Sequence, residues 1–411
     1  MLDINYIRDH ADDVRQAAKN KNLNPDVVDE VLRLDGKRRE LIIKVEELRA
    51  VKNKLTRDQV DEGRRLKQEL KDIEPELKQV ETAYTDLMLQ VPNPPAEDVP
   101  IGPDESANKV IKTWGDTPKF DFNPKPHHTL AENLGLYDAK RAVRIAGNRA
   151  YFLKGDLVLL EQAILNYALA KMVAAGFTPM TVPWLVNRDT LVGTGYFPWG
   201  EADHYQTQDG QGLIGTAEVS LTAYHTGETL SYKQLPTKIC AVSPCFRREV
   251  GSYGKDTQGF FRLHQFTKVE MVVYTEADEA LTRQMHDQML EISQSLLQEL
   301  KLPYHILLMC TGDIGAGQRK KYDIETWFPS QNAYRETHSD SYFNDFQSRR
   351  LNIRYQDKSG TIKHVYTLNN TVAATPRLLA AILENYQQKD GSIKIPEVLQ
   401  SKMGKEIING K

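Results

Sequence analysis

Cysteine is scarce in this chain. Three thiols in 411 residues, Cys240, Cys245 and Cys310, are too few for a disulfide framework and match no zinc spacing, so no structural zinc is expected. Long apolar runs are also missing. None approaches the length of a membrane span, and the opening MLDINYIRDHADDVRQ has acids where a signal peptide needs an apolar core. Charge of one sign is lacking as well: 53 Lys+Arg against 56 Asp+Glu leaves a net −3, which argues against a globally basic nucleic-acid binder but leaves room for a local patch. There is no GxxxxGK[ST] phosphate loop. What remains, 40% hydrophobic and 27% charged, describes an ordinary soluble globular protein of two or three domains, expected in the cytoplasm and away from membranes.

Residues 27–90 differ from the rest. Leu34, Leu41, Leu48 and Leu55 recur every seven residues, and Leu66, Leu70, Ile73, Leu77, Val80, Tyr84 and Leu87 follow at alternating steps of four and three. That is a coiled-coil seam, and the short TRDQVDEG connection predicts an antiparallel two-helix arm, with Pro75 distorting the second helix. The first helix carries eight basic residues between Lys37 and Arg57 against three acids. A basic arm of this shape is a reasonable phosphate-backbone reader. VPNPPAEDVPIGPDES then reads as a stiff linker over about 91–106. The chain therefore divides into an N-terminal domain, 1–106, and a mixed domain, 107–411, whose hairpin-like strand pairs without regular βαβ alternation predict an α+β fold: an antiparallel sheet flanked by helices.

Within that second domain, CFRREVGSYGKDTQGFFRLHQFTKVEM places many charges in strand-like sequence. Side chains alternate faces along a strand, so VSPCFRREV collects Cys245, Arg247 and Glu249 on one face and puts Arg248 on the other. FTKVEMVVY collects Phe266, Lys268 and Glu270 against Val269, Met271 and Val273. The GSYGKDTQG loop between them reads as an exposed, mobile connection. The pair predicts a hairpin with one packed face and one lined by charge and an aromatic ring, either a wet exterior or a site. Other segments share the habit. Thr216 and Glu218 stand at a helix start, where Thr can cap and Glu suits the helix dipole. Glu336 and Ser339 lie three apart among polar partners, and Thr375 reads as an N-cap ahead of Pro376 and Arg377, an arginine where a helix start already favours anions.

Together these segments resemble the class II aminoacyl-tRNA synthetases, and the seryl-tRNA synthetases in particular. GFTPMTVPWLV, with Pro183, resembles motif 1; the charged hairpin resembles motif 2, its HQFTKVE ending being similar to the seryl enzymes; LNNTVAATPRLLAAILENYQ resembles motif 3. GTAE, DFQSRR, the heptad arm and the VPNPP linker are similar too, in order along nearly the whole chain. The resemblance implies a class II antiparallel sheet with an N-terminal coiled-coil arm, a homodimer, and ATP held without a Walker loop. It implies activation of L-serine to seryl-adenylate with release of pyrophosphate, then transfer to the 3′ end of tRNA(Ser) and, where present, tRNA(Sec). Two departures stand out. Asn369-Asn370-Thr371 replaces the usual Asn-Gly-Ser, and Thr337-His338-Ser339-Asp340-Ser341 replaces a Ser-Ser-Cys-Ser run while keeping Ser339.

The roles implied are as follows. Arg247 would bridge the ATP α-phosphate and the serine carboxylate, Glu249 would accept from the adenine amino group, Phe266 would stack on the base with Leu263 closing over it, and Arg377 would hold the γ-phosphate. Arg248, Thr337 and His338 join the ATP site by resemblance alone. Glu336 and Ser339 would bind Mg²⁺, a hard ion that prefers oxygen. Catalysis would rest on Arg247, Glu336 and Arg377, and serine on Thr216, Ala217, Glu218, Arg247, Glu270 and Thr371. The arm residues Lys37, Arg38, Arg39, Lys44, Arg49 and Lys52 would meet tRNA. Two rivals compete: a serine-activating enzyme with a carrier-protein acceptor, which gives no reason for the arm, and a non-catalytic relative that binds nucleic acid, which gives no reason for Arg247, Glu249, Glu270, Glu336 and Arg377 together.

Overall fold

A computed structural model describes residues 1–251 and 259–410, so all but the two end glycines of the GSYGKDTQG connection lie outside the described residues. The chain forms two compact units, one spanning Met1–Pro94 and the other beginning at Pro95.

The first unit is helical. Two short helices, Ile4–Asp9 and Ala11–Asn20, precede α1 (Asp26–Asn53) and α2 (Val60–Met88). The heptad residues form the seam between the long helices: Leu34, Val45, Leu66, Leu70 and Val80 are buried. Pro75 sits inside α2 without ending it. Its missing N–H removes one ladder bond, while Leu70 and Val80 on either side keep the helix packed on its partner. The arm's cations are not all turned to solvent. Lys37 pairs with Glu76 at 2.7 Å, Arg49 with Glu74 at 2.8 Å, Arg38 with Glu81 at 3.5 Å and Arg39 with Asp35 at 3.3 Å. Lys44 and Lys52 are exposed.

The second unit is built on an eight-stranded sheet. In chain order its strands are β1 (Lys109–Trp114), β2 (Thr178–Met180), β3 (Thr237–Phe246), β4 (Gln265–Thr275), β5 (Tyr304–Leu308), β6 (Lys320–Phe328), β7 (Ala333–Asn344) and β8 (Tyr366–Ala374). In space they run β1-β5-β6-β7-β8-β4-β3-β2. Every pairing is antiparallel except that of the edge strand β2 with β3, which is parallel and makes the sheet mixed rather than purely antiparallel. Register follows the alternation: Cys245 stands opposite Phe266, and Ala241 opposite Glu270.

One sheet face carries the main core. Val269, Met271 and Val273 of β4, Ile306, Ile324 and Leu368 pack with Leu160 and Ile164 of α3 (Asp156–Ala174) and with Met289 and Leu297 of α4 (Glu279–Glu299). Each such side chain, fully buried, contributes about 1.5–3 kcal/mol relative to exposure. Helix α3 corrects one expectation: among the described residues it is long and apolar enough, by length and composition, to cross a membrane. Its Leu157, Leu160, Ile164 and Met172 are buried in the core, so that apolarity has a packing use.

The charged strand ends sooner than alternation suggested. β3 stops at Phe246, and Arg247–Val250 lie beyond it. Thr375 is not an N-cap either. The helix α5 (Thr375–Asn385) starts at Thr375 itself, whose hydroxyl lies 2.7 Å from Glu161 Oε1, and Ala374 occupies the cap position. Cys240, Cys245 and Cys310 are buried free thiols.

Candidate active site

The sheet face opposite α4 is covered at one end, where Ile239, Ala241, Val272 and Tyr274 pack with Leu221, Leu351 and Ile353, and open beside that cluster. A cavity of about 490 Å³ lies on the open part, and the ionic side of the hairpin forms part of its lining. Of the residues singled out in the sequence, Thr216, Glu218, Arg247, Glu249, Leu263, Phe266, Glu270, Glu336, Thr337, His338, Ser339, Thr371 and Arg377 all line it. Ala217 and Arg248 do not. Ala217 is fully buried among apolar neighbours behind the wall. Arg248, beyond the end of β3, is exposed and donates to the Ala202 carbonyl at 3.2 Å.

At one end of the cavity Arg247 donates from Nε to the Gly215 carbonyl at 3.2 Å, and its guanidinium lies 5.3 Å from the Phe266 ring centre. Glu249 accepts from Arg262 at 3.1 Å. Arg377, in the first turn of α5, reaches the Glu336 carboxylate at 3.2 Å and the Glu336 carbonyl at 2.8 Å. Burial alone would push the Glu336 carboxyl up; Arg377 and Lys321 outweigh it and hold the pKa down at about 2. Glu336 is therefore an anion at any ordinary pH. Beside it, Lys321 pairs with Asp323 at 2.9 Å, and Asp323 stands opposite Ser339 in the β6–β7 register. Asp323 Oδ1 is buried and lacks a hydrogen-bond partner among the described residues. An ionised carboxylate, a hydroxyl position and an orphaned carboxylate oxygen suit a hard cation.

Thr337 and His338 belong to the wall in a different sense. His338 Nδ1 meets the Thr337 hydroxyl at 2.8 Å and Nε2 meets the Val372 carbonyl at 3.0 Å. Burial lowers the His338 pKa to about 4, so the ring is neutral, with both nitrogens engaged in packing bonds.

The other end is a carboxylate pocket. Glu270 pairs with Lys268, and Thr371 Oγ1 sits between them at 3.3 Å from Glu270 and 3.2 Å from Lys268. The β4–β8 register, Glu270 opposite Thr371, sets this meeting. Glu218 begins the helix Glu218–Thr222, its backbone N–H donating to Thr216 Oγ1 at 3.2 Å. Its carboxylate accepts from Tyr196 OH at 2.7 Å and from Gln347 Nε2 at 2.9 Å. Burial raises the Glu218 pKa to about 7 despite those two bonds.

Several lining residues received no role from the sequence: Tyr196, Arg262, Gln318, Lys268 and Lys321. Lys268 was detectable, since alternation put it on the face of Phe266 and Glu270. Lys321 carried a weaker signal, a Lys-x-Asp pair on one strand face; Tyr196 and Gln318 sit in loops whose paths the sequence does not reveal.

Known proteins agree with this geometry. Residues 203–386 match the tRNA synthetase class II core domain (G, H, P, S and T), and residues 1–95 the seryl-tRNA synthetase N-terminal domain. A prolyl-tRNA synthetase from Giardia lamblia shares the fold over 67% of this chain and 56% of its own, with a TM-score of 0.59 at 17% identity. The sheet, its open face and the three motifs thus define a class II aminoacyl-tRNA synthetase core. Likeness over the full length narrows this. A serine–tRNA ligase of Deinococcus radiodurans is 40% identical over 100% of this chain and 99% of its own, and one of Thermotoga petrophila is 42% identical over 99% and 100%. The seryl-tRNA synthetase of Pyrococcus horikoshii, solved with ATP, superposes with a TM-score of 0.94 at 35% identity over 100% of both chains. That of Naegleria fowleri, solved with AMP, superposes at 0.91 with 32% identity over 100% of this chain and 99% of its own. The chain belongs to the seryl-tRNA synthetase family and is an ATP-dependent serine–tRNA ligase.

Proposed function

We propose a division of labour within the cavity, carried by one observation: Arg247, Glu249, Glu270, Glu336 and Arg377, from segments far apart in sequence, line a single cavity. The serine carboxylate attacks the α-phosphorus of ATP in line; a new O–P bond forms as the bond to the β-phosphate oxygen breaks and pyrophosphate leaves. The 3′-terminal ribose hydroxyl of tRNA then attacks the acyl carbon and AMP departs. Positioning and charge neutralisation supply most of the rate. Arg247 holds the α-phosphate and the serine carboxylate together, its planar fork spanning two oxyanions. Phe266 stacks on the base, Glu249 accepts from its amino group, Leu263 closes over it, and Arg377 takes the γ-phosphate. Glu336 and Ser339 would hold Mg²⁺, which when bound would neutralise phosphate charge. Calorimetry with a non-hydrolysable seryl-adenylate analogue tests the arrangement. Arg247→Ala is expected to weaken binding by about 10- to 100-fold, the scale of a deleted charge-assisted hydrogen bond. Unchanged affinity would overturn it.

The serine ammonium group sits against Glu218 and Glu270, and the serine hydroxyl against Thr371, with Thr216 shaping the wall. A Glu218 pKa of about 7 gives serine affinity a pH dependence. Only the carboxylate attracts an ammonium ion, and that form grows as pH rises through the raised pKa. KM for serine in ATP–pyrophosphate exchange should fall by about tenfold between pH 6 and pH 8. Glu218→Gln should flatten the profile; a wild-type enzyme with no such trend would remove Glu218 from ammonium binding.

Outside the cavity, α3 leaves Leu159 and Val173 exposed, and Ile145 and Phe152 lie exposed in the segment before it. This apolar surface supports a homodimer formed through the motif 1 side. The arm meets the tRNA backbone. Lys44 and Lys52 are exposed there, and Lys37, Arg38 and Arg49 can exchange their ion pairs for phosphates, because exposed pairs contribute only about 0–1 kcal/mol; Arg39 is exposed too, although its partner Asp35 is buried.

A further inference from the structure

We propose that Arg149, outside all three motifs, is a positioning residue for adenine selection: it fixes the backbone that aims Glu249. The inference rests on the assignment of Glu249 to the adenine amino group. Glu249 has φ of +54°, a left-handed conformation that disfavours any side chain bearing a Cβ. Such a residue persists where its surroundings over-determine it. Here they do. Asp203 pins both neighbours, its carbonyl accepting from Arg248 N at 2.9 Å and its Oδ1 from Val250 N at 3.0 Å. Between them, Arg149 Nη1 donates to the Glu249 carbonyl at 3.2 Å.

Arg149 is itself left-handed, with φ of +60°, and its backbone is tied to the same place. Its carbonyl accepts from His264 N at 3.4 Å. The His264 carbonyl in turn accepts from Arg247 N at 3.0 Å, and His264 Nδ1 donates to the Arg247 carbonyl at 3.0 Å. Arg149, His264, Arg247 and Glu249 therefore close a circuit around the segment where β3 has ended and no sheet ladder holds the chain. The circuit turns Glu249 into the cavity, where its carboxylate meets Arg262 at 3.1 Å. An arginine suits the task because its planar fork offers several donors in a fixed geometry.

The test measures ATP–pyrophosphate exchange with ATP and with purine riboside triphosphate, in which hydrogen replaces the 6-amino group. Wild type should favour ATP by about 10- to 100-fold, the value of a hydrogen bond to a charged acceptor. Glu249→Ala should abolish the preference. Arg149→Ala should shrink it at least several-fold while KM for serine changes less, because the lost side-chain bond goes to the Glu249 carbonyl, whereas Arg247 keeps its bonds to His264 and to the Gly215 carbonyl. Arg149→Lys, able to donate one hydrogen bond, should recover part of the preference and serves if the alanine variant does not fold. If Arg149→Ala and Arg149→Lys both keep the full preference while Glu249→Ala loses it, the inference fails and the assignment of Glu249 stands. If Glu249→Ala keeps the preference as well, the assignment itself is wrong.

Discussion

Glu270→Ala is expected to lower serine-dependent ATP–pyrophosphate exchange by at least about 2–4 kcal/mol of transition-state stabilisation, some 30- to 1,000-fold. The side chain is 2% exposed and its partner Lys268 6%, so the pocket floor is a nearly dry ion pair closed by Thr371. A substrate ammonium group arriving there finds an acceptor already oriented. Removing the carboxylate also strands the Lys268 ammonium beside the place where a cation should bind, which turns attraction into repulsion. Breaking a buried pair by deleting one member costs about 3–5 kcal/mol, so the variant should also melt earlier. Glu270→Gln separates the two effects. It keeps the shape and one acceptor oxygen for Thr371, should remain folded, and should still lose exchange substantially because the charge is gone. A folded Glu270→Gln enzyme with exchange near wild type would place the serine ammonium elsewhere.

The hairpin shows how much of this was legible. Period-two alternation identified Phe266 and Glu270 as sharing a face with Lys268, and all three line the cavity. Arg248 lies beyond the end of β3, so its outward turn to the Ala202 carbonyl is not set by alternation. For Glu249 alternation gave a right answer by a wrong route. The strand ends at Phe246, and the side chain reaches the cavity through a left-handed backbone that no pattern of apolar residues encodes. The information sits in Asp203 and Arg149, distant in sequence, and becomes visible only when the chain is folded. Thr337 and His338 illustrate the opposite limit. Their types suit a site, yet their polar atoms bond to each other and to the Val372 carbonyl, a use set by the β-bulge in β7 against β6. Heptad spacing located the arm but left its charges ambiguous. Which acid of α2 stands opposite Lys37 or Arg49 depends on the offset between two helices, and that offset is a property of the packed seam.

Deleting the arm should separate the two halves of the reaction. A deletion of residues 36–83, closed by a short turn, keeps Asp35 with its partner Arg8 at 2.7 Å and retains the apolar cluster of Ile7, Val14, Val28, Val31, Met88 and Val91 at the arm's base. The remaining stump therefore has a core of its own, and every cavity-lining residue lies in the unit beginning at Pro95. Exchange with serine and ATP should stay within about twofold of wild type. Charging of tRNA should fall by about 10³-fold or more, the smaller end of the gap between specific and non-specific nucleic-acid binding. The double substitution Lys44→Glu, Lys52→Glu tests the same surface without shortening the chain. It should weaken charging at low salt and reduce the slope of affinity against log salt by about two, one for each phosphate no longer neutralised. Charging at a normal rate by the deleted enzyme would make the arm structural and require another surface to bind the tRNA. If the deletion abolished charging but the two lysines proved silent, the arm would act through its paired cations, first Lys37, Arg38 and Arg49, whose exposed ion pairs are weak enough for phosphate to displace.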